Sequence, residues 1–135
     1  MNRINVKSTP DGWRLLVSRK IDAPVKTVWN LLTDTKAWRK WGTSVVGVEA
    51  DRRYIKEGME GEVEILGSFW VPFEITSYEE YRWTWDVAKI PATGHRVNEL
   101  RGERSKAVFE VPMHMSGYTP VCGRALKKIE ELAVD

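Results

Sequence analysis

The residues that usually carry metal and thiol chemistry are nearly missing from this sequence. It has one cysteine, Cys122, and two histidines, His95 and His114, in 135 residues. A single cysteine excludes an intrachain disulfide and suits a reducing compartment, so the expected location is cytoplasmic. No Cys-x-x-Cys or His-x-x-x-His spacing occurs, and neither a metal nor a cofactor is expected. Gly-x-Ser-x-Gly and a phosphate-cradling glycine loop are absent too, which removes familiar signatures of nucleophilic and phosphoryl chemistry. No stretch of ~18 apolar residues is available to span a bilayer. The opening MNRINVKSTPDGW holds no apolar segment of the signal-peptide kind. Excess charge is scarce as well: 21 Lys and Arg face 19 Asp and Glu, a formal +2 with no basic run. Nucleic acid is therefore not an expected partner, nor is integral association with a membrane.

Tryptophan, by contrast, is abundant. Seven occur: Trp13, Trp29, Trp38, Trp41, Trp70, Trp83 and Trp85. Each brings a large apolar ring and one N–H that needs a partner when buried. They either build an ordinary core or line a ligand cavity. The rest is the mixture of a globular chain, 42% hydrophobic and 30% charged. No repeat, linker or low-complexity stretch divides it, so one domain over residues 1–135 is expected.

Periodicity then places the elements. Residues 12–21 alternate as a strand. Asp22 as a cap and Pro24 in a first turn predict a helix on which Val25, Val28, Trp29 and Leu32 share a face. Asp34 or Thr35 starts a second short helix, TKAWRKW, which puts Trp38 and Trp41 on one side and ends at Gly42. Candidate strands follow at 43–50, 61–66 and 70–77, the last placed at an edge or bulge by Pro72. The clearest strand is EYRWTWDVA. Tyr81, Trp83, Trp85 and Val87 point to its dry face, and Arg82, Thr84 and Asp86 to solvent. Pro91 and Gly94 read as a turn before the strand GHRVNELRG, and SKAVFEVP is the last strand. From about residue 117 the chain is helical, with Tyr118, Val121, Cys122, Ala125, Ile129 and Leu132 at helical spacing and Pro120 either opening or kinking it. The expected class is α+β: a curved antiparallel sheet of about seven strands wrapped around a long C-terminal helix, with two short helices after the first strand and a cavity between sheet and helix.

The stretch IDAPVKTVWNLLTDTKAWRKW resembles the opening of the SRPBCC superfamily, the START and birch-pollen-allergen-like helix-grip proteins. The residues that carry the likeness are Ala23, Pro24, Val28, Trp29, Asp34, Trp38 and Trp41. WTWDVAKIPATGHRVNEL and the amphipathic C-terminal helix are similar to the polyketide cyclase/dehydrase and lipid-transport branch. The likeness runs over about residues 12–133. It implies the helix-grip fold, with Pro24, Trp29 and Trp41 setting a helix pair that closes one end of the cavity. It carries over no catalytic residue, and one fold hosts many functions.

A small hydrophobic ligand, lipid-like or aromatic and polyketide-like, is the expected partner, held for transport, sensing or sequestration. The expected lining includes Phe73, Trp83, Trp85 and His95. Val97, Phe109, Tyr118 and Cys122 complete it. A polyketide cyclase or dehydratase is the rival reading, with His95, Glu99 or Tyr118 as acid or base. His95 would orient a carbonyl or shuttle a proton, or simply sit hydrogen-bonded at a strand end. Tyr118 would reach a ligand oxygen or merely start the helix. Cys122, on the apolar helix face, is expected to be a small buried hydrophobe. A third reading is an interaction module with exposed tryptophans. A convergent polar pair deep inside would favour an enzyme; a dry cavity with one polar group, a carrier or sensor; a filled interior, the module. Arg39 and Lys40 beside Trp41, and Arg82 beside Trp83, suggest a stacking surface for nucleic acid, but neighbours on a strand face opposite ways.

Overall fold

A computed structural model describes residues 2–65 and 68–134. Its strands are β1 (Asn2–Thr9), β2 (Gly12–Ile21), β3 (Val45–Ala50), β4 (Glu60–Ile65), β5 (Phe69–Glu79), β6 (Arg82–Val87), β7 (Ile90–Leu100) and β8 (Arg104–Pro112). Its helices are α1 (Val25–Thr33), α2 (Thr35–Trp41) and α3 (Thr119–Val134), with a 3-10 turn, Met113–Tyr118, before α3. The strands form one antiparallel sheet in the order β1-β2-β8-β7-β6-β5-β4-β3. The two short helices link strands near opposite edges, and α3 packs back on the sheet against β2 and β8. This is the expected helix-grip layout with eight strands instead of about seven.

The additional strand is β1. Its sequence, NRINVKST, offers only Ile4 and Val6 as apolar residues, and both remain more than half exposed at the sheet edge. Pairing of its whole length with Gly12–Arg19 of β2 and a bond from Asn2 Nδ2 to the Gly123 carbonyl on α3, 3.2 Å, hold it there. Such support comes from tertiary partners and leaves little trace in local pattern.

Other boundaries moved for equally local reasons. Asp22 stays exposed and caps nothing; α1 begins behind Pro24 with no side-chain cap. Asp34 does cap, accepting from Lys36 N at 2.9 Å, and so restarts the chain as α2. Pro91 and Gly94 are not a turn but lie within β7, Pro91 beside the register shift where a missing N–H is tolerated. The real turn is Ala88 and Lys89, both with positive φ (54° and 66°), as a two-residue hairpin requires. Gly94 is required by packing: a Cβ there would lie 2.9 Å from Glu110 Oε1. Pro72 pairs with Glu62 of β4 and lies one residue beyond the β6 ladder, which begins with Phe73 opposite Val87, so its nitrogen sits at a local edge as expected. On that side its carbonyl accepts from the Ala88 N–H at 2.8 Å. The expected strand 61–66 is observed as Glu60–Ile65; residue 66 lies outside the described residues. On α3, Cys122, Ala125, Leu126 and Ile129 are buried, whereas Leu132 is exposed because the last turn runs past the sheet.

The face of β6 expected to be wet is only partly so. Arg82 is tucked against the sheet between Glu110 and Asp11, at 2.7 and 2.6 Å, and Arg96 reaches Glu110 at 3.2 Å. Glu110 is almost wholly buried, so two guanidinium groups compensate its charge. The carboxylates hold the Arg82 guanidinium well above its usual range despite partial burial.

Candidate functional site

The interior between sheet and α3 is organised by aromatic rings. From α2, Trp38 and Trp41 turn inward, each fixed by an indole bond to the end of α1: Trp38 to the Leu32 carbonyl at 2.9 Å, Trp41 to that of Leu31 at 2.8 Å. Strands β6 and β7 present Trp83 and His95 as directly paired residues. The result is a column of three rings. Trp38 stacks on Trp83 (5.5 Å between centroids, 8° between planes), and Trp83 stacks on His95 (3.9 Å, 16°). Trp85 meets Trp38 and Trp83 edge-on, and Phe109 meets His95 the same way.

These rings nearly fill the interior. The chamber they leave is about 40 Å³, room for a water or one small polar group. Outside it lies an open apolar vestibule of about 250 Å³, walled by Val45, Val63, Ile65, Val87, Ala92 and Met115. Ser44, Val45, Trp85, Thr93 and Tyr118 border both spaces and therefore form the partition between them. The Ser44 and Tyr118 hydroxyls are hydrogen-bonded to each other across it. On the α3 side the chamber is closed by Val121, Cys122 and Ala125.

Polar groups in the chamber wall are few and specific. The Trp85 indole N–H donates to Thr93 Oγ1 at 3.3 Å, and Thr93 Oγ1 lies 3.2 Å from His95 Nε2. The Thr93 hydroxyl proton has no other side-chain acceptor among the described residues, so it goes to Nε2 and the imidazole proton sits on Nδ1. Trp83 Nε1 is a buried N–H donor with no hydrogen-bond partner among the described residues, while His95 Nδ1 makes no hydrogen bond of full geometry there and its ring lies against the Trp83 backbone. Burial, opposed by a backbone contact with Trp83 and aided by the positive charge of Arg82, pushes the His95 pKa down to about 3, so its imidazole is neutral at physiological pH. Burial raises the Tyr118 phenol above its usual range and pushes the Cys122 thiol up to about 12, which keeps both protonated.

Six of the eight residues expected to line a cavity do border the chamber: Trp83, Trp85, His95, Phe109, Tyr118 and Cys122. Phe73 and Val97 do not. Phe73 is buried behind Trp38 and Trp85, and Val97 lies two positions beyond His95 on β7, the strand on which α1 packs. Glu99 is exposed near the far end of β7, paired with Ser105, and does not join His95 and Tyr118. Sequence reasoning missed the contributions of α2 and the 42–45 segment, and Thr93. The spacing of Trp38 and Trp41 was the available signal, since both indoles share the inner side of a seven-residue helix.

Comparisons with known proteins come to the same architecture. A family model described as polyketide cyclase / dehydrase and lipid transport matches residues 13–131. Among solved structures, CalU16 from Micromonospora echinospora is 19% identical with a TM-score of 0.66, over 98% of this chain and 85% of that one. A conserved protein of unknown function from Enterococcus faecalis, EF2215, is 15% identical with a TM-score of 0.65, over 95% and 77%. XoxI from Bacillus cereus is 12% identical with a TM-score of 0.68, over 89% and 94%. At these identities the structures share a fold with the chain and carry no further argument. No curated protein matches the sequence significantly. Among the described residues, no helix is long and apolar enough to cross a membrane.

Proposed function

The chain belongs to the polyketide cyclase/dehydrase and lipid-transport family, and from that premise we propose that it holds a small, largely apolar molecule whose body lies in the vestibule and whose polar end reaches the chamber. The observation that carries this reading is the pairing of two adjoining spaces: an apolar antechamber of about 250 Å³ and, beside it, a small chamber of about 40 Å³ walled by rings that include the unpaired Trp83 donor. The antechamber is close to the lower end of small-molecule sites, ~300 Å³. Burying ~300 Å² of apolar ligand surface contributes on the order of 7 kcal/mol. Association costs reduce that to roughly micromolar binding.

The polar end has a defined preference. The neutral Trp83 Nε1–H lacks an acceptor, and the neutral His95 ring has only a loose contact with the Trp83 backbone beyond Thr93. A carbonyl or ether oxygen satisfies that N–H, whereas a carboxylate would be buried as an uncompensated charge. The residues proposed to bind are therefore Trp83, Trp85, His95 and Tyr118, with Thr93 fixing the imidazole. A histidine whose pKa lies near 3 is too weak a base for proton abstraction at neutral pH, so the same geometry supports holding over acid–base turnover.

A neutral acyl-dimethylaminonaphthalene dye, whose carbonyl supplies the acceptor, is titrated into wild type and into Val87→Trp to test the proposal. Val87 is half-buried in the vestibule wall, so the larger ring occupies the space without entering the core. Dye fluorescence should rise on wild type and fall by about tenfold in affinity for the variant. No enhancement with wild type, or equal binding by both proteins, would contradict the site.

A further inference from the structure

The outer side of α2 carries a feature that the apolar site does not use. Lys36, Arg39 and Lys40 from this helix, with Arg52 and Arg53 from the segment after β3, line an open cleft of about 550 Å³ whose only acidic lining residue is Asp51. The sequence hides this gathering, because β3 separates residues 36–40 from residues 52 and 53. Five cations stand against Asp51 in the lining and Asp34 paired with Arg53, an excess of three in one cleft that exceeds the whole chain's formal +2.

The cleft is built, not incidental. Arg53 donates from Nε and Nη2 to the two oxygens of Asp34, each at 2.9 Å. The backbone N–H and hydroxyl of Thr35 both donate to the Arg53 carbonyl, at 2.8 and 2.7 Å. Tyr54 pairs with Asp34 in an isolated antiparallel bridge, and Ile55 N–H donates to the Thr33 carbonyl at 3.1 Å. One cationic segment is thus clamped beside a cationic helix face. Among the described residues, Lys36, Arg39, Lys40 and Arg52 have no carboxylate partner. Lys36 and Lys40 stand one helical turn apart, a spacing at which like charges repel. A fold that holds such charges together in a concavity sustains a field suited to a compact, multiply charged anion. Several guanidinium and ammonium groups lining one cleft supply the kind of donors that phosphate oxygens accept from.

We propose that this cleft binds a phosphate-bearing anion. Free phosphorylated molecules and lipid headgroups share that chemistry, and the experiment separates them. Wild type and the double variant Arg39→Glu/Lys40→Glu, which alters two exposed side chains, are titrated with inorganic pyrophosphate by calorimetry. Both are also sedimented with vesicles of phosphatidylcholine, alone or with added phosphatidic acid. The expected result is pyrophosphate binding at low salt, weakened about tenfold or more by the variant and by added salt. A headgroup source adds retention on phosphatidic acid vesicles that the variant loses, and a free source adds none. Melting curves check that the variant is folded, and Lys36→Gln/Arg52→Gln gives a second route to the same loss if it is not. Failure of wild type to bind either probe, or binding that both variants retain, would overturn the proposal. So would a random single-stranded oligonucleotide that binds more tightly than pyrophosphate and displaces it.

Discussion

Lowering the pH should weaken this fold through one residue, and by a calculable amount. His95 is fully enclosed, stacked on Trp83, and its pKa is pushed down to about 3 from an ordinary 6.5. Between those values the unfolded chain takes up a proton that the folded chain refuses. Stability is therefore intact above pH ~6.5 and falls steadily as the pH drops toward ~3, by up to ~1.4 kcal/mol per unit. Going from about pH 7 to about pH 5 should cost ~2 kcal/mol, a fall in Tm of roughly 6–10 °C for a domain of this size. The assay is urea unfolding followed by tryptophan fluorescence at a series of pH values. His95→Phe, which keeps a flat ring against Trp83 and cannot titrate, is the control. The difference in pH slope between the two proteins isolates His95, since the carboxylates contribute equally to both. Parallel slopes for wild type and His95→Phe would refute the reasoning, because they would mean that the imidazole protonates as readily in the folded state. The chamber would then be wet and polar.

Three further outcomes follow from the packing. Gly94→Ala should destabilise by ~2 kcal/mol in chemical denaturation, because the new Cβ meets the Glu110 carboxylate, which Arg82 and Arg96 pin in place; a neutral effect would show that the ion network yields. Tyr118→Phe removes the hydroxyl bond to Ser44 across the partition, and should lower stability by ~1 kcal/mol while speeding dye entry in stopped flow; unchanged entry rates would show that the partition does not gate the chamber. Trp13→Phe should remove much of the acrylamide-quenchable fluorescence, because Trp13 is 63% exposed whereas Trp38 and Trp83 are buried; an unaltered quenching slope would contradict that placement.

Much of the fold was legible because its signals are local and periodic. The helical spacing of Val25, Val28, Trp29 and Leu32 and the alternation around Trp83 each follow from the geometry of a single element. β1 was not legible, since a polar edge strand is specified by its partner and not by its own pattern. Pro91 and Gly94 misled for the opposite reason: both are turn residues by chemistry, but one sits at a register shift and the other makes room for Glu110. In the site, alternation brought Trp83 and His95 to one interior, whereas Glu99, offered with them as an acid or base, lies exposed toward the far end of β7. The scale of the cavity was beyond reach. An excess of large aromatics suggests a roomy lined space, but the inward turn of Trp38 and Trp41 makes those rings fill most of it. The gathering of Lys36, Arg39, Lys40, Arg52 and Arg53 is likewise a product of the fold, invisible in a chain without a basic run.

The seven tryptophans are built-in reporters of where an apolar molecule goes. The most direct measurement is a titration of the ¹⁵N-labelled protein with the same neutral acyl-dimethylaminonaphthalene dye, following the indole N–H resonances after assigning each by single substitution. The account predicts that Trp85, which borders vestibule and chamber, and Trp83, whose donor gains a partner, shift with the dye. Trp13 and Trp70, exposed elsewhere, should stay put. Shifts confined to Trp13 or Trp70, with Trp83 and Trp85 unmoved at saturation, would place the ligand on the surface and contradict the internal site.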